Sequence, residues 1–195
     1  TSSTDGTTFN LTAADDWNTG IGNTNISDTT NSITVSNVSV PTITSATYDH
    51  STNTLVVTGT GFLKLSGATN DIDISKLTFT GEGGATYTLT SASNVEIDSG
   101  TQFTVTLSGS DLVGVESLLN KNGTSSIDTT PYNLAAAEDW AAGADSAVSV
   151  ADTTGNGITV SNYAVPAITS TTYDASTGQL ILTGANFVNK SGATN

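Results

Sequence analysis

Ile33-Thr34-Val35-Ser36-Asn37 returns as Ile158-Thr159-Val160-Ser161-Asn162, a displacement of 125 residues. Upstream of it, Asp28-Thr29-Thr30 returns as Asp152-Thr153-Thr154, Asp15-Asp16-Trp17 as Glu138-Asp139-Trp140, and Phe9-Asn10-Leu11 as Tyr132-Asn133-Leu134. Downstream, Pro41, Tyr48-Asp49, Thr58-Gly59 and Phe62 return as Pro166, Tyr173-Asp174, Thr183-Gly184 and Phe187, and the run Ser66 to Asn70 returns as Ser191 to Asn195. The displacement is 123 at the first of these segments, 124 at Asp28 and 125 from Ile33 onward. The two single-residue insertions thus fall between patterned segments, where loops absorb length changes easily. Residues 71 to 123 occur once only. Self-similarity over so long a period is the mark of a tandem array.

The joints of that array are expected at Pro41 and Pro166. Each proline follows an alternating run and precedes a fresh Thr-rich extended run, where it ends one strand and holds its predecessor extended. Residues 41–165 then form one complete repeat. Residues 1–40 are the C-terminal part of a preceding repeat, and 166–195 the N-terminal part of a following one. A second framing takes 1–70 and 124–195 as two copies of one unit, separated by 71–123.

Within 41–165 the apolar residues alternate with polar ones. Leu55 and Val57, Ile72 and Ile74, Leu77 and Phe79, Tyr87 and Leu89, Val95 and Ile97, and Phe103, Val105 and Leu107 keep a period of two. Such alternation makes strands with one face in a core and one in water. Asp49 to Asn53, Gly81 to Gly84 and Asp98-Ser99-Gly100 supply turn residues. Two short helices are expected to interrupt the strands. One is capped by Ser110 and runs through Leu112, Val115, Leu118 and Leu119 to Lys121; the other is capped by Asn133 and runs to Trp140. The fold class is therefore all-β, with antiparallel sandwich repeats and short helical insertions. Leu55, Val57, Phe79, Leu89, Phe103, Val105, Leu107 and Leu118 are the expected core.

Four lysines, no arginine and 18 acidic residues leave a formal charge of -14 over 195 residues. A surface so acidic repels phosphate, which excludes nucleic acid and anionic membranes as partners. No apolar run reaches the roughly 18 residues of a membrane span, so direct membrane insertion is not expected. The chain has no cysteine and one histidine, which excludes thiol chemistry, disulfides, zinc and iron–sulfur centres.

Thr58-Gly59-Thr60-Gly61-Phe62, after Pro41-Thr42-Ile43-Thr44 and a Leu-Val-Val strand, resembles the Gly-x-x-Phe strand end of immunoglobulin-like IPT/TIG domains, as does Thr183-Gly184-Ala185-Asn186-Phe187. The whole unit, with its Ala-Ala-Asp-Asp-Trp and Asp-Thr-Thr segments, is similar to tandem repeats of giant bacterial surface proteins and adhesins. The resemblance implies immunoglobulin-like sandwiches at a bacterial cell surface or in a secreted protein.

Chemistry has few candidates, and no enzymatic activity is expected. His50, in a hairpin turn beside Asp49, is expected to be a solvent-exposed turn residue. Glu96 and Asp98 sit two apart on one strand face and point the same way, so they do not flank a substrate. Calcium is the cofactor the composition can serve, since hard cations take carboxylate, amide and carbonyl oxygens at loops. The candidate ligands are Asp71 and Asp73, at the mouth of a strand, and Glu138, Asp139, Asp152 and Asn156, with Asp15, Asp16, Asp28 and Asn31 as the matching set in the first copy.

The resulting expectation is a structural spacer, stalk or assembly module of a large extracellular repeat protein, stiffened by calcium. Its partners would be neighbouring repeats of the same protein, with self-assembly into a layer or fibre. The alternative is a carbohydrate-binding module that stacks sugars on Trp17, Trp140, Tyr132 or Tyr163. Against it, both tryptophans recur in Ala-rich segments, where a core-packing aromatic is the commoner role.

Overall fold

The period-two pattern is realised as strands in a computed structural model that describes residues 8–22, 25–145 and 147–187. The copy of Ser66 to Asn70 at Ser191 to Asn195 lies outside these residues, as do the outer ends of segments 1–40 and 166–195. In chain order the strands are β1 (Asn10–Ala13), β2 (Asp28–Ser32), β3 (Thr42–Asp49), β4 (Thr54–Thr60), β5 (Leu77–Thr80) and β6 (Thr86–Thr88). They continue with β7 (Ile97–Ser99), β8 (Gln102–Thr106), β9 (Asn133–Ala136), β10 (Ile158–Ser161), β11 (Ala167–Asp174) and β12 (Gln179–Ala185). A single α-helix among the described residues, α1 (Gly109–Glu116), stands between β8 and β9.

A five-stranded sheet has the order β10-β3-β4-β8-β7 and a three-stranded one the order β6-β5-β9. Their apolar faces meet in one buried cluster: Ile43, Leu55, Val57, Phe103 and Val105 come from the larger sheet, Leu77, Phe79 and Leu134 from the smaller. All eight expected core residues are in it. The fold is thus all-β, built of several sheets. One pairing departs from the antiparallel expectation, because β10 lies parallel to β3, Ile158 opposite Ala46 and Ser161 opposite Asp49.

The expected helix at 133–140 is not formed, and this is a correction. Leu134 and Ala136 point inward while β9 pairs with β5, Phe79 opposite Leu134 and Leu77 opposite Ala136. A strand partner thus overrides alanine's helix propensity. The segment then turns at Asp139, which is left-handed at φ 63°. The second expected helix exists but is shorter: Ser108, not Ser110, precedes it, and Leu118 and Leu119 follow its end as buried turn residues. Ile72 makes isolated bridges to Val95 and Ala141, and Ile74 opens a 3-10 turn, in place of the expected strand.

Sequence repetition is matched by structural repetition. The β11–β12 hairpin reproduces the β3–β4 register, with a bulge at Ile168/Ser170 where the other has Ile43/Ser45. The Gly-x-x-Phe signature has a steric cause. A β-carbon at Gly59 would collide with the Thr42 carbonyl and the Phe62 ring, and one at Gly184 with the Ala167 carbonyl and the Phe187 ring. In both copies the phenylalanine ring occupies the space that a side chain at the glycine would need.

Trp140 shows how far completion of the repeat matters. It is 0 % exposed, packs edge-on to Phe62 at 5.7 Å, and donates Nε1–H to the Val150 carbonyl at 2.7 Å. Trp17 makes the same kind of bond, to the Ile26 carbonyl at 2.9 Å, yet is 60 % exposed. Trp140→Ala is expected to destabilise the fold by about 3–5 kcal/mol, as buried aromatic truncations do, whereas Trp17→Ala should leave it nearly unchanged. Urea unfolding of both variants checks this.

Candidate functional site

Four of the six sequence-predicted ligands, Asp71, Asp73, Glu138 and Asp152, accept hydrogen bonds from donors of the chain itself. Asp71, fully buried, accepts the N–H groups of Leu65 at 2.6 Å and Ile97 at 2.9 Å. Asp73 caps the 3-10 turn, accepting Ser75 N–H and its hydroxyl. Glu138 accepts the N–H groups of Val150 and Ala151 and the Ser149 hydroxyl; the Val150 N–H and the Ser149 hydroxyl in particular hold its carboxyl below the usual range. Asp139 serves as the left-handed turn residue. Asp152 accepts Ile43 N–H at 2.8 Å on one oxygen and the Asn156 amide at 2.8 Å on the other. Asn156 is buried and also donates to the Leu134 carbonyl.

Asp71 and Asp73 thus stay a local pair, and Asp152 with Asn156 ties the repeat's end to the start of β3. Among the described residues, no three acidic or histidine side chains converge as a metal-holding group. At buried Asp71 calcium would compete with the N–H donors of Leu65 and Ile97. Melting curves in calcium chloride and in sodium chloride of matched ionic strength test the calcium expectation: a calcium-specific rise supports ion binding at these acids, and equal midpoints leave them with the fastening role alone.

Asp111, which the sequence reading missed, is the most heavily bonded of the acids. It sits fully buried in the first turn of α1. It accepts the N–H groups of Thr90, Ser91 and Ala92 at 2.8–2.9 Å, and the hydroxyls of Thr90 and Tyr87. Burial opposes its charge, but these donors together outweigh burial and hold the carboxyl far below the usual range. The only sequence signal was an acid in the first turn of a helix, which complements the helix dipole.

The folded carboxyl ionises at lower pH than the unfolded one, so its stabilisation is complete above about pH 4 and is lost as pH falls below that. Asp111→Asn would set an amide against N–H donors and should cost about 3 kcal/mol at pH 7. The gap from the parent should shrink at pH 3. Denaturant unfolding at both values checks the sign.

His50 corrects a second expectation. It is largely buried, not an exposed turn residue, with Nδ1 at 3.3 Å from Glu116 and Nε2 at 2.7 Å from the Leu119 carbonyl. Its ring packs edge-on to Tyr48 and Tyr163, each at 5.0 Å. Both ring nitrogens lie against oxygen atoms of the chain itself. His50 fastens β3 to the end of α1. Glu96 is half-buried and accepts Asn70 N–H at 2.9 Å. Of the proposed sugar-stacking aromatics, Trp140 and Tyr132 lie in the core and present no face.

A concave feature lies just ahead of β3. Segment 35–40, with Phe9, Leu63, Val148 and Val150, lines an apolar cleft of about 430 Å³. From here the chain enters β3 at Thr42, and it leaves after β10 at Ser161, opposite Asp49. Entry and exit are thus at opposite ends of an eight-residue strand, about 25 Å apart. Comparison with protein-family models, with curated proteins and with solved structures gives no match. No helix among the described residues is long and apolar enough to cross a membrane.

Proposed function

We propose that the chain is a force-bearing spacer of a tandem-repeat extracellular protein, with 41–165 as one complete immunoglobulin-like sandwich repeat. One observation carries this reading: the first and last strands of the larger sheet's chain order, β3 and β10, are direct parallel neighbours. Tension drawn through the flanking segments pulls β3 from its N-terminal end and β10 from its C-terminal end. Their ladder bonds, including Ala46 N–H to the Gly157 carbonyl at 2.9 Å and His50 N–H to the Ser161 carbonyl at 3.0 Å, lie across the pull. They are loaded together in shear, not opened one at a time. Asp152 to Ile43 N–H and the Asn162 amide to Asp49, at 2.9 Å, bridge the same two strands beyond the ladder.

Other features agree with a spacer at a cell surface. Acidic modules repel one another and keep an array extended and soluble. On the outer strand faces Thr42 bonds Thr60 and Thr78 bonds Thr88 across strands.

Pulled by its ends in a single-molecule experiment, the protein should unfold 42–161 in one event that releases about 40 nm of chain. Thr159→Pro, in the register position opposite Thr47, removes a ladder donor on an exposed face. It should lower the unfolding force while leaving the released length unchanged. An unaltered force would refute the shear reading.

A further inference from the structure

Two asparagine–glycine pairs occur in the chain, Asn122-Gly123 and Asn156-Gly157. In such a pair the asparagine side chain reacts most readily with its own backbone, because glycine has no β-carbon to obstruct the approach. The fold holds the two pairs differently.

Asn122 is exposed, so water reaches it. The groups that would have to react are both held by the end of β10 and the residues just after it. Gly123 N–H donates to the Val160 carbonyl at 2.9 Å, and Val160 N–H returns a bond to the Gly123 carbonyl at 2.8 Å. The Asn122 side chain reaches Tyr163, accepting its N–H on Oδ1 at 2.8 Å and donating from Nδ2 to its carbonyl at 3.4 Å. Gly123 sits at φ 107° with open space where a β-carbon would stand, so conformation and not packing calls for glycine here.

Upstream, the segment is fastened without β10. The hydroxyl of buried Tyr132 accepts the Lys121 N–H at 3.1 Å and donates to the Lys121 carbonyl at 3.2 Å. When β10 leaves, Lys121 stays in place while the Gly123 N–H and the Asn122 side chain are released together.

We propose that Asn122 is a deamidation site gated by β10: shut while β10 is paired, reactive once β10 comes away, and altered by the reaction so that β10 no longer closes in its old register. In the open chain the Gly123 nitrogen gives its proton to water or hydroxide and bonds to Asn122 Cγ. The Cγ–Nδ2 bond breaks, and ammonia leaves with a proton taken from solvent. One water then opens the cyclic imide. Cleavage between the Gly123 nitrogen and the main-chain carbonyl carbon leaves isoaspartate at position 122, and cleavage between that nitrogen and Cγ leaves aspartate.

Either product spoils the contact. A carboxylate accepts the Tyr163 N–H but has no hydrogen to give the Tyr163 carbonyl, so oxygen is set against oxygen. Isoaspartate also lengthens the main chain by one carbon ahead of Gly123, which carries its N–H and carbonyl out of register with Val160. A repeat that has opened thus keeps a covalent record and closes less well afterwards. Asn156 supplies the contrast. It is 2 % exposed, and its amide donates to the Leu134 carbonyl, the Asp152 carbonyl and Asp152 Oδ1. None of these partners lies in β10, so release of β10 alone leaves Asn156 locked.

Thr47 and Thr159 are exposed register partners, and the chain has no cysteine. Thr47→Cys with Thr159→Cys therefore places a switchable cross-link between β3 and β10. The full chain is incubated at mildly alkaline pH, oxidised or in reductant, and amide-to-acid conversion is read at each asparagine by peptide mass mapping. Oxidation should slow conversion at Asn122 by about tenfold or more, because a cross-link closing so long a loop suppresses opening. A second comparison needs no substitution: in the unaltered chain Asn122 should convert several-fold more slowly than in a peptide of residues 119–126, yet faster than Asn156. The isoaspartate-containing fraction should melt below the unconverted protein. Equal rates with and without the cross-link, or a folded chain as fast as the peptide, would overturn the gating. An isoaspartate fraction that melts with the unconverted protein would overturn the loss of closure. The site goes beyond the spacer reading and does not depend on force, so none of these outcomes decides the pulling experiment on 42–161.

Discussion

The structure depends on the parallel pairing of β10 with β3. It joins residues more than a hundred positions apart, Ile158 to Ala46 and Ser161 to Asp49, and sets them between the two ends of the repeat. Contacts of such sequence separation form late, because loop-closure entropy precedes their reward. Until β10 is in place, Ile43, Ala46 and Tyr48 have no cover along that edge of the sheet. The β11–β12 hairpin shows that state: its register is native-like, and its apolar face is open.

A second constraint follows from composition. With 35% hydrophobic residues and a charge of -14, the chain can rely neither on a large core nor on ion pairs. Lys64–Glu96, at 3.7 Å, is a largely exposed pair of little worth. Acids are instead neutralised by the backbone. Asp71, Asp111, Glu138 and Asp152 each gather N–H groups from loops that would otherwise leave donors unmet. Their charge fastens irregular segments between strands, and this use of carboxylates as acceptors competes with their use as metal ligands.

Much of the core was legible, because alternation at Leu55/Val57 and Phe103/Val105/Leu107 depends only on the pleat. The repeat was legible because self-similarity needs no knowledge of tertiary partners. The Ala-rich stretch at 133–137 was not, since its identity as a strand is set by β5, a partner more than fifty residues away. Parallel pairing of β10 was invisible because periodicity carries no strand direction. His50 read as a turn residue from its neighbours, but Glu116 and Leu119 reach it from another element. Asp71, Asp73 and Asp152 were found as acids at loop mouths; that Asp71 and Asp152 take N–H donors from distant segments is a tertiary fact.

If β3–β10 pairing closes the repeat, its amides open only when the whole fold does. Native-state hydrogen exchange measures this directly. Ala46 and His50, which donate to β10, should be among the slowest amides, with an opening free energy equal to that of global unfolding. Thr171 in β11 and Ala175 just past its end, their counterparts in the second hairpin, should exchange orders of magnitude faster. Rapid exchange at Ala46 and His50, comparable to that in the turns, would contradict the account.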